Sequence, residues 1–446
     1  MAIDTYTSPA DYIKKTTRLF QDRETAGGLA LIAATIIALL LGNSQWAHTY
    51  HHFLEDELLF EFGDHFGFGL KAEKWINDGL MAIFFLVAGL ELKREIMVGE
   101  LSTLKKASMP LMGALGGMVV PALIFVALNI GEKSISGWGV PMATDIAYSL
   151  GIIGLLGKRI PSQLKIFLVA LAIADDLGAI LVIAFFYSHG ISWLYLGAAA
   201  GIFVILLLCN RLGAKSMWWY VPLGIGLWFC FLHSGVHATI AGVLFALTIP
   251  VKPKLDSAAY KERMTDNLKA LEHAKTHEQS PLENPKHRKL LRAIKRDTNA
   301  SRPPLLKLEN RLVGFNAFFI IPVFALANAG VKLDVGLVEV LTQSLGLGII
   351  LGLAVGKVLG IGLFAYAGER LGFAERHPSL SYQHIIGMGF IAGIGFTMSL
   401  FITNLAFTDA ALVKVAKISI LLASLAAAVA GIVVLMLAGK KSTGED

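Results

Sequence analysis

The chain has 446 residues, of which 55% are apolar and only 16% charged, against about 25% charged in a typical soluble domain. That balance excludes a soluble enzyme, a disordered protein and a fibrous repeat. A membrane-crossing helix takes ~20 apolar residues, so this stock supplies on the order of twelve spans. The expected fold is an all-α polytopic membrane protein.

Two cysteines, Cys209 and Cys230, make neither a disulfide framework nor a tetrahedral metal site by themselves. The net charge of +6 is concentrated in one place. Residues 251–307 hold 14 Lys and Arg against 7 Asp and Glu, whereas the rest of the chain holds 25 against 26. One basic loop suits an anionic membrane surface better than a nucleic-acid groove, so no nucleic-acid partner is expected.

In chain order the apolar runs are 27–41, 80–90, 110–128, 140–156, 166–187, 191–209, 218–231, 236–251, 312–331, 345–367, 385–405 and 415–438. We number them spans 1 to 12. Several are too short to cross alone and must be tilted, broken or extended by buried polar turns. Lys14, Lys15, Arg18 and Arg23 precede the first run, as in a signal peptide. No small-x-small cleavage site follows it, so an uncleaved first span is expected.

Loop charges order these spans. The arm at 1–24 is basic, whereas 46–70 carries five acids and no Lys or Arg. Lys93, Arg94, Lys105 and Lys106 follow span 2, Lys158 and Arg159 follow span 4, Arg211 and Lys215 follow span 6, and the basic segment follows span 8. The intervening loops are poor in Lys and Arg. By the positive-inside rule both termini face the cytoplasm. Lys414 and Lys417, on an external end, are the one weak point. The expected organisation is a cytoplasmic arm (1–24), spans 1–8 (25–250), a basic cytoplasmic loop (251–307), spans 9–12 (308–438) and a cytoplasmic tail (439–446). Helix formers at 260–277 predict one or two surface helices in the basic loop, and four prolines at 281–304 predict flexible joints.

Four charges fall where hydrocarbon should forbid them. Asp175 and Asp176 sit mid-span, with ~15 Å of helix on either side. Asp145 lies inside span 4 and Lys357 at the middle of span 10. Each costs ~2.5–3.5 kcal/mol or more at the centre of an inserting helix. A structural ion pair would need one acid for the one base. The surplus of acids favours a site for something positive. Adjacent carboxylates project ~100° apart, so they form no facing dyad. Their mutual repulsion suits them to hold either protons or a hard cation such as sodium.

Helix breakers flank these charges. Span 4 reads Gly137-Trp-Gly-Val-Pro141-Met-Ala-Thr144-Asp145, and span 11 reads Gly387-Met-Gly-Phe-Ile-Ala-Gly393-Ile-Gly395-Phe-Thr397. Close packing through small residues explains Gly alone. Interruption in both halves, with a buried acid in one, points to discontinuous helices around a binding site.

The runs Ala143-Thr-Asp-Ile-Ala-Tyr-Ser-Leu-Gly151, Ala172-Ile-Ala-Asp-Asp-Leu-Gly-Ala179, Ser234-Gly-Val-His-Ala-Thr-Ile-Ala-Gly242, Phe324-Ala-Leu-Ala-Asn-Ala-Gly330 and Gly393-Ile-Gly-Phe-Thr-Met-Ser399 together resemble the NhaA-type sodium/proton antiporters of bacterial inner membranes. The resemblance covers about residues 20 to 437, the basic insertion excepted. It implies twelve helices, inverted repeats over spans 3–5 and 10–12, unwound crossing spans 4 and 11, and a homodimer. It also implies an electrogenic, pH-regulated exporter of sodium, and of lithium, in exchange for protons, which maintains sodium and pH balance. No enzymatic activity and no cofactor are implied.

By the same resemblance, Asp175 and Asp176 bind the ions, while Thr144, Asp145 and Lys357 compensate charge at the helix crossing. Glu91, His237 and Glu309 would belong to the pH response, although each reads alone as an interfacial ion pair or a satisfied helix-end His. Where relatives carry His after that last Glu, this chain has Asn310 and Val313.

Two other classes compete. An intramembrane aspartyl protease would use Asp145 and Asp175 as facing acids, but the chain lacks the Gly-x-Gly-Asp run and leaves Lys357 and Asp176 without a role. A sodium-coupled symporter would need a larger pocket for an organic solute. Finally, aromatics and acids at 49–62 predict a hairpin or interfacial segment. Phe53, Leu54, Leu59 and Phe60 there would gain by being covered by a second copy.

Overall fold

In hydrocarbon each backbone N–H and C=O has to be satisfied within its own helix, and the apolar runs fold accordingly. The computed structural model describes residues 9–62, 66–188, 190–274, 285–334 and 336–442. Among them, eight helices are long and apolar enough to cross a membrane: Thr25–Gly42, Ala72–Val98, Leu104–Leu128, Ser162–Phe186, Trp193–Arg211, Pro304–Asn328, Ser344–Arg370 and Ala410–Gly439. Two further pairs are bent at a short break, Lys133–Met142 with Ile146–Leu156 by 41° and Tyr382–Ala392 with Phe396–Ala406 by 47°. Met217–Leu232 and Thr239–Thr248 are shorter apolar helices. Each expected apolar run falls on one of these elements.

Enclosure differs sharply between helices. Two thirds of the apolar stretch of Ser162–Phe186 is buried (67%), against 11% for Trp193–Arg211. The helix that carries Asp175 and Asp176 is therefore central. Trp193–Arg211 turns its apolar side chains outward, as lipid contact requires. Glycine sets the closest crossing. A Cβ on Gly360 would stand 2.1 Å from the Gly116 carbonyl oxygen, so Leu104–Leu128 and Ser344–Arg370 meet backbone to backbone at that point. Lys357 lies one turn before it.

The first helix runs unbroken from Pro9 to Gly42, so the described part of the basic arm is its helical extension. Residues 1–8 and 443–446, at the outer ends of the expected arm and tail, lie outside the described residues. The segment after the first helix forms both a helix, Ala47–Glu55, and an antiparallel hairpin, Glu57–Phe62 with Phe66–Lys71, in register Glu57↔Lys71. The hairpin sits further along than the 49–62 expected, because the aromatic 66–71 run supplies its second strand. Leu54 is buried within its own chain, not exposed, since the Ala47–Glu55 helix packs against the bundle. Phe53 is exposed. The side chains of Leu59 and Phe60, and all of His65, lie outside the described residues. The Tyr50 hydroxyl donates to the Leu326 carbonyl. Burial and the nearby Glu73 push its pKa up to about 12.

The basic segment folds as Ser257–Ala274 and Pro285–Ser301. The described prolines of 281–304 lie at helix boundaries, with Pro303 in the break that follows Ser301. Pro285 opens a helix and Pro304 opens the next, because a first-turn N–H has no intrahelical acceptor to lose. Pro281 lies outside the described residues. Lys414 is ion-paired with Asp334, which pulls the Asp334 carboxyl below its ordinary range through that hydrogen bond.

Candidate ion-binding site

The two bent pairs meet at their breaks. The Asp145 N–H donates to the Ile394 carbonyl at 2.7 Å. Residues 143–145 are extended and separate the two halves of the first bent pair, Lys133–Met142 and Ile146–Leu156. Gly393 and Gly395 bracket the opposing break and allow close approach. A Cβ on Gly393 would stand 2.4 Å from the Leu353 carbonyl oxygen.

Asp145 is the N-cap of Ile146–Leu156. Its Oδ1 accepts from the Tyr148 N–H at 2.9 Å, and its Oδ2 accepts from the Thr397 N–H at 3.0 Å and from the Thr397 hydroxyl. One carboxylate thus satisfies the free N–H groups of two helix starts, where the partial charge is positive. Thr397 was not singled out from sequence. Its position just after Gly393-Ile-Gly395, where a second half-helix has to begin, is the signal that could have found it.

Lys357 follows a π-helical segment, Gly352–Gly356, a local widening that re-aims the side chains beyond it. Its Nζ donates to Asp175 Oδ2 at 2.5 Å and to Thr144 Oγ1 at 2.9 Å. The Thr144 hydroxyl has two acceptors in reach, Asp175 Oδ2 at 2.8 Å and the Ala392 carbonyl at 2.9 Å. With one proton it serves one of them at a time. Lys357 therefore faces a broken-helix carbonyl only through Thr144, and its direct partner is Asp175.

Asp175 Oδ1 and Asp176 Oδ2 are buried and accept no hydrogen bond. Asp176 lines a cavity of ≈ 10 Å³ with Glu91, Gly89, Leu92, Ile180 and Val243, and Lys357 is not among its lining residues. That is room for about one water. It is far below the ~300 Å³ or more of an organic ligand pocket.

The remaining residues lie toward the two ends of the bundle. Glu91 shares the Asp176 cavity. Glu309 is buried and accepts from Arg94 Nε at 2.9 Å, while Arg94 also reaches Glu95 at 2.7 Å. Arg94 was read only as a loop charge, although its place in Glu91-Leu-Lys-Arg-Glu95 puts it one turn from Glu91. Lys93 likewise ends Thr239–Thr248, donating to the Leu247 and Ile249 carbonyls at 2.6 Å each. His237 is not brought to the carboxylates. Its Nε2 lies 3.1 Å from the Tyr187 carbonyl oxygen, past the far end of Ser162–Phe186. The Tyr187 hydroxyl ties that end to the first bent pair, donating to Ser136 and accepting from Gly139.

Comparison with known proteins agrees over nearly the whole length. The sequence model of the family described as Na+/H+ antiporter 1 matches residues 18–435. The chain is 66% identical over 434 residues to the Na(+)/H(+) antiporter NhaA of Christiangramia forsetii, covering 97% of each chain. It is 45% identical to the NhaA of Helicobacter acinonychis, covering 96% of this chain and 97% of that one. Against the NhaA of Syntrophobacter fumaroxidans the identity is 43%, over 95% and 90%.

Proposed function

The chain belongs to the Na+/H+ antiporter 1 family, and from that premise we propose that it exports sodium in exchange for protons through a site built on Asp175 and Asp176. The observation that carries this reading is the pair of buried carboxylate oxygens, Asp175 Oδ1 and Asp176 Oδ2, that accept no hydrogen bond. A buried acceptor left empty is costly. A proton or a small hard cation relieves that cost, and the two compete for the same lone pairs. Lys357 and Thr144 orient Asp175 and offset its charge, so the site does not hold a cation irreversibly. Asp145 offsets the two helix starts and stays outside the exchange. The neighbouring cavity admits a species of about the size of water, which favours ion exchange over symport of an organic solute.

The finer features follow from the same reading. The bundle crosses twelve times, with the two bent pairs as discontinuous spans and Met217–Leu232 and Thr239–Thr248 as short ones. A continuous, bent, continuous order occurs twice, at 104–186 and at 344–442, which supports inverted repeats of spans 3–5 and 10–12. Both termini lie in the cytoplasm of a bacterial inner membrane. Exchange is electrogenic and regulated by pH, and lithium is also carried. Glu91, Glu309 with Arg94, and His237 set the pH response from the two sides of the bundle. The chain works as a homodimer joined by the 57–71 hairpin, and catalyses no chemical reaction.

The test is direct. Proteoliposomes holding an acid-inside pH gradient are given external sodium. Collapse of the gradient by sodium alone is the expected result, and a requirement for an organic solute would replace the reading by symport. No response to sodium would overturn it.

A further inference from the structure

Ion exchange leaves the largest charge feature of the chain, the basic insertion, without a role. Its two helices form a hairpin closed around one acid. Asp297 is 3% exposed and draws in Arg296 at 3.2 Å, Arg263 at 3.9 Å and Asn267 at 3.3 Å. Tyr260 and Thr298 share a hydrogen bond at 3.1 Å, and the Leu255 N–H donates to the Ala300 carbonyl.

This clamp decides what the outer face presents. Asp297 is the only acid in Pro285–Ser301, and it points inward. Arg288, Arg292 and Lys295 follow at helical spacing, with Lys289 beside them, and all four are exposed. None has an ion pair among the described residues. The first helix differs. Lys261, Arg263 and Lys269 alternate there with Glu262, Asp266 and Glu272. One helix of the hairpin thus exposes cations and no acid, and the other exposes both signs.

The hairpin is also tied at its base. The Leu305 N–H donates to the Pro250 carbonyl at 3.1 Å, and Lys215 Nζ donates to the Pro253 carbonyl at 2.6 Å. Lys215 stands two residues before Met217–Leu232, whose first turn exposes Trp218 and Trp219, the residue type that marks a membrane–water boundary. The cationic stripe therefore begins close to the bilayer surface and cannot diffuse from it. Surface potential decays over ~8 Å at physiological salt. The four cations span about 10 Å of helix. An upright hairpin would carry the distal ones out of range, whereas one lying along the surface keeps all four within it.

We propose that the outer face of Pro285–Ser301 docks on the anionic phospholipid headgroups of the leaflet that flanks it. This rests on the cytoplasmic placement of the insertion given above. The attraction is mainly electrostatic, because Leu290, Ala293 and Ile294 are half-buried and Leu291 is the one exposed large apolar side chain of Pro285–Ser301. Four cations near an anionic surface bind strongly at low salt and weakly at high salt.

The full-length protein is reconstituted in nanodiscs of phosphatidylcholine alone or with phosphatidylglycerol. It is pulsed with an amine-acylating reagent, and each lysine is quantified by mass spectrometry. Nanodiscs expose both faces, so the result depends neither on sidedness nor on exchange activity. Lys289 and Lys295 should be acylated at least about fivefold more slowly in the anionic discs, with the difference lost at high salt. Lys261 and Lys269, on the balanced helix, should change much less. Equal labelling of Lys289 and Lys295 in both discs would overturn the proposal, as would equal protection of all four lysines. Protection by an added acidic polypeptide or RNA, without any by anionic lipid, would assign the face to that partner instead.

Discussion

Lys357 Nζ lies 2.5 Å from Asp175 Oδ2, and both side chains are fully buried. Asp176, the next residue, makes no such bond and lines a small cavity with Glu91. Adjacent carboxylates of one helix therefore do different work. The first is held by a fixed cation, and the second is open.

Removing the two charges should separate these roles. Asp176→Asn should abolish sodium-dependent proton flux with little change in melting temperature, since it breaks no ion pair. Asp175→Asn should also abolish flux, and should destabilise by about 3 kcal/mol, because Lys357 is left as a buried charge without a counter-charge. Flux retained in both variants would exclude this site.

Competition fixes the direction of the pH effect. Protons and sodium share the same oxygens, so apparent sodium affinity should fall as pH falls, by up to about tenfold per unit for each competing proton. Affinity measured between pH 6 and 9 checks this. A flat profile would mean separate sites.

Asp145 and Thr397 should matter to structure before transport. Thr397→Val keeps the backbone N–H and loses the hydroxyl, at a cost of about 1 kcal/mol. Asp145→Ala removes the acceptor of both helix starts and should cost more, about 2–4 kcal/mol. Thermal unfolding in detergent gives the order, and the reverse order would refute the shared-cap account.

The Asp334–Lys414 pair makes a signed prediction. The folded carboxyl titrates below its unfolded value, so its contribution is complete above the unfolded pKa, ~4, and is lost as pH falls through the folded one. The melting temperature of Asp334→Asn should lie below wild type by a constant amount at neutral pH. The gap should close in acid, and a gap that widened there would contradict the pairing.

Deleting residues 57–71 should convert the detergent-solubilised protein from dimer to monomer while each protomer still exchanges ions. A deletion that also takes residues 49–56, as in the range 49–61, removes Leu54 and the Tyr50 hydroxyl from the protomer's own packing. It should therefore lower stability as well. A dimeric hairpin deletion on a sizing column places the interface elsewhere.

The sequence alone determined the membrane class, the positions of the apolar runs and the four buried charges, because hydrocarbon penalises charge so heavily that its mere presence is informative. It also pointed to the two bent pairs, since Gly137, Gly139 and Pro141 in one and Gly393 and Gly395 in the other disfavour a continuous helix locally. Only the tertiary structure decided partners. Nothing in the order of residues shows that Lys357 takes Asp175 and not Asp145, that Thr397 caps across to Asp145, or that Arg94 leaves its loop for Glu309. Those choices depend on which helix faces come within about 3 Å of one another. The Gly116–Gly360 crossing and the π-helical turn before Lys357 set that geometry. The basic segment shows the same division. Its charge was plain in the composition, whereas the burial of Asp297, which leaves one helix exposing cations and no acid, required the packing of two helices 30 residues apart along the chain.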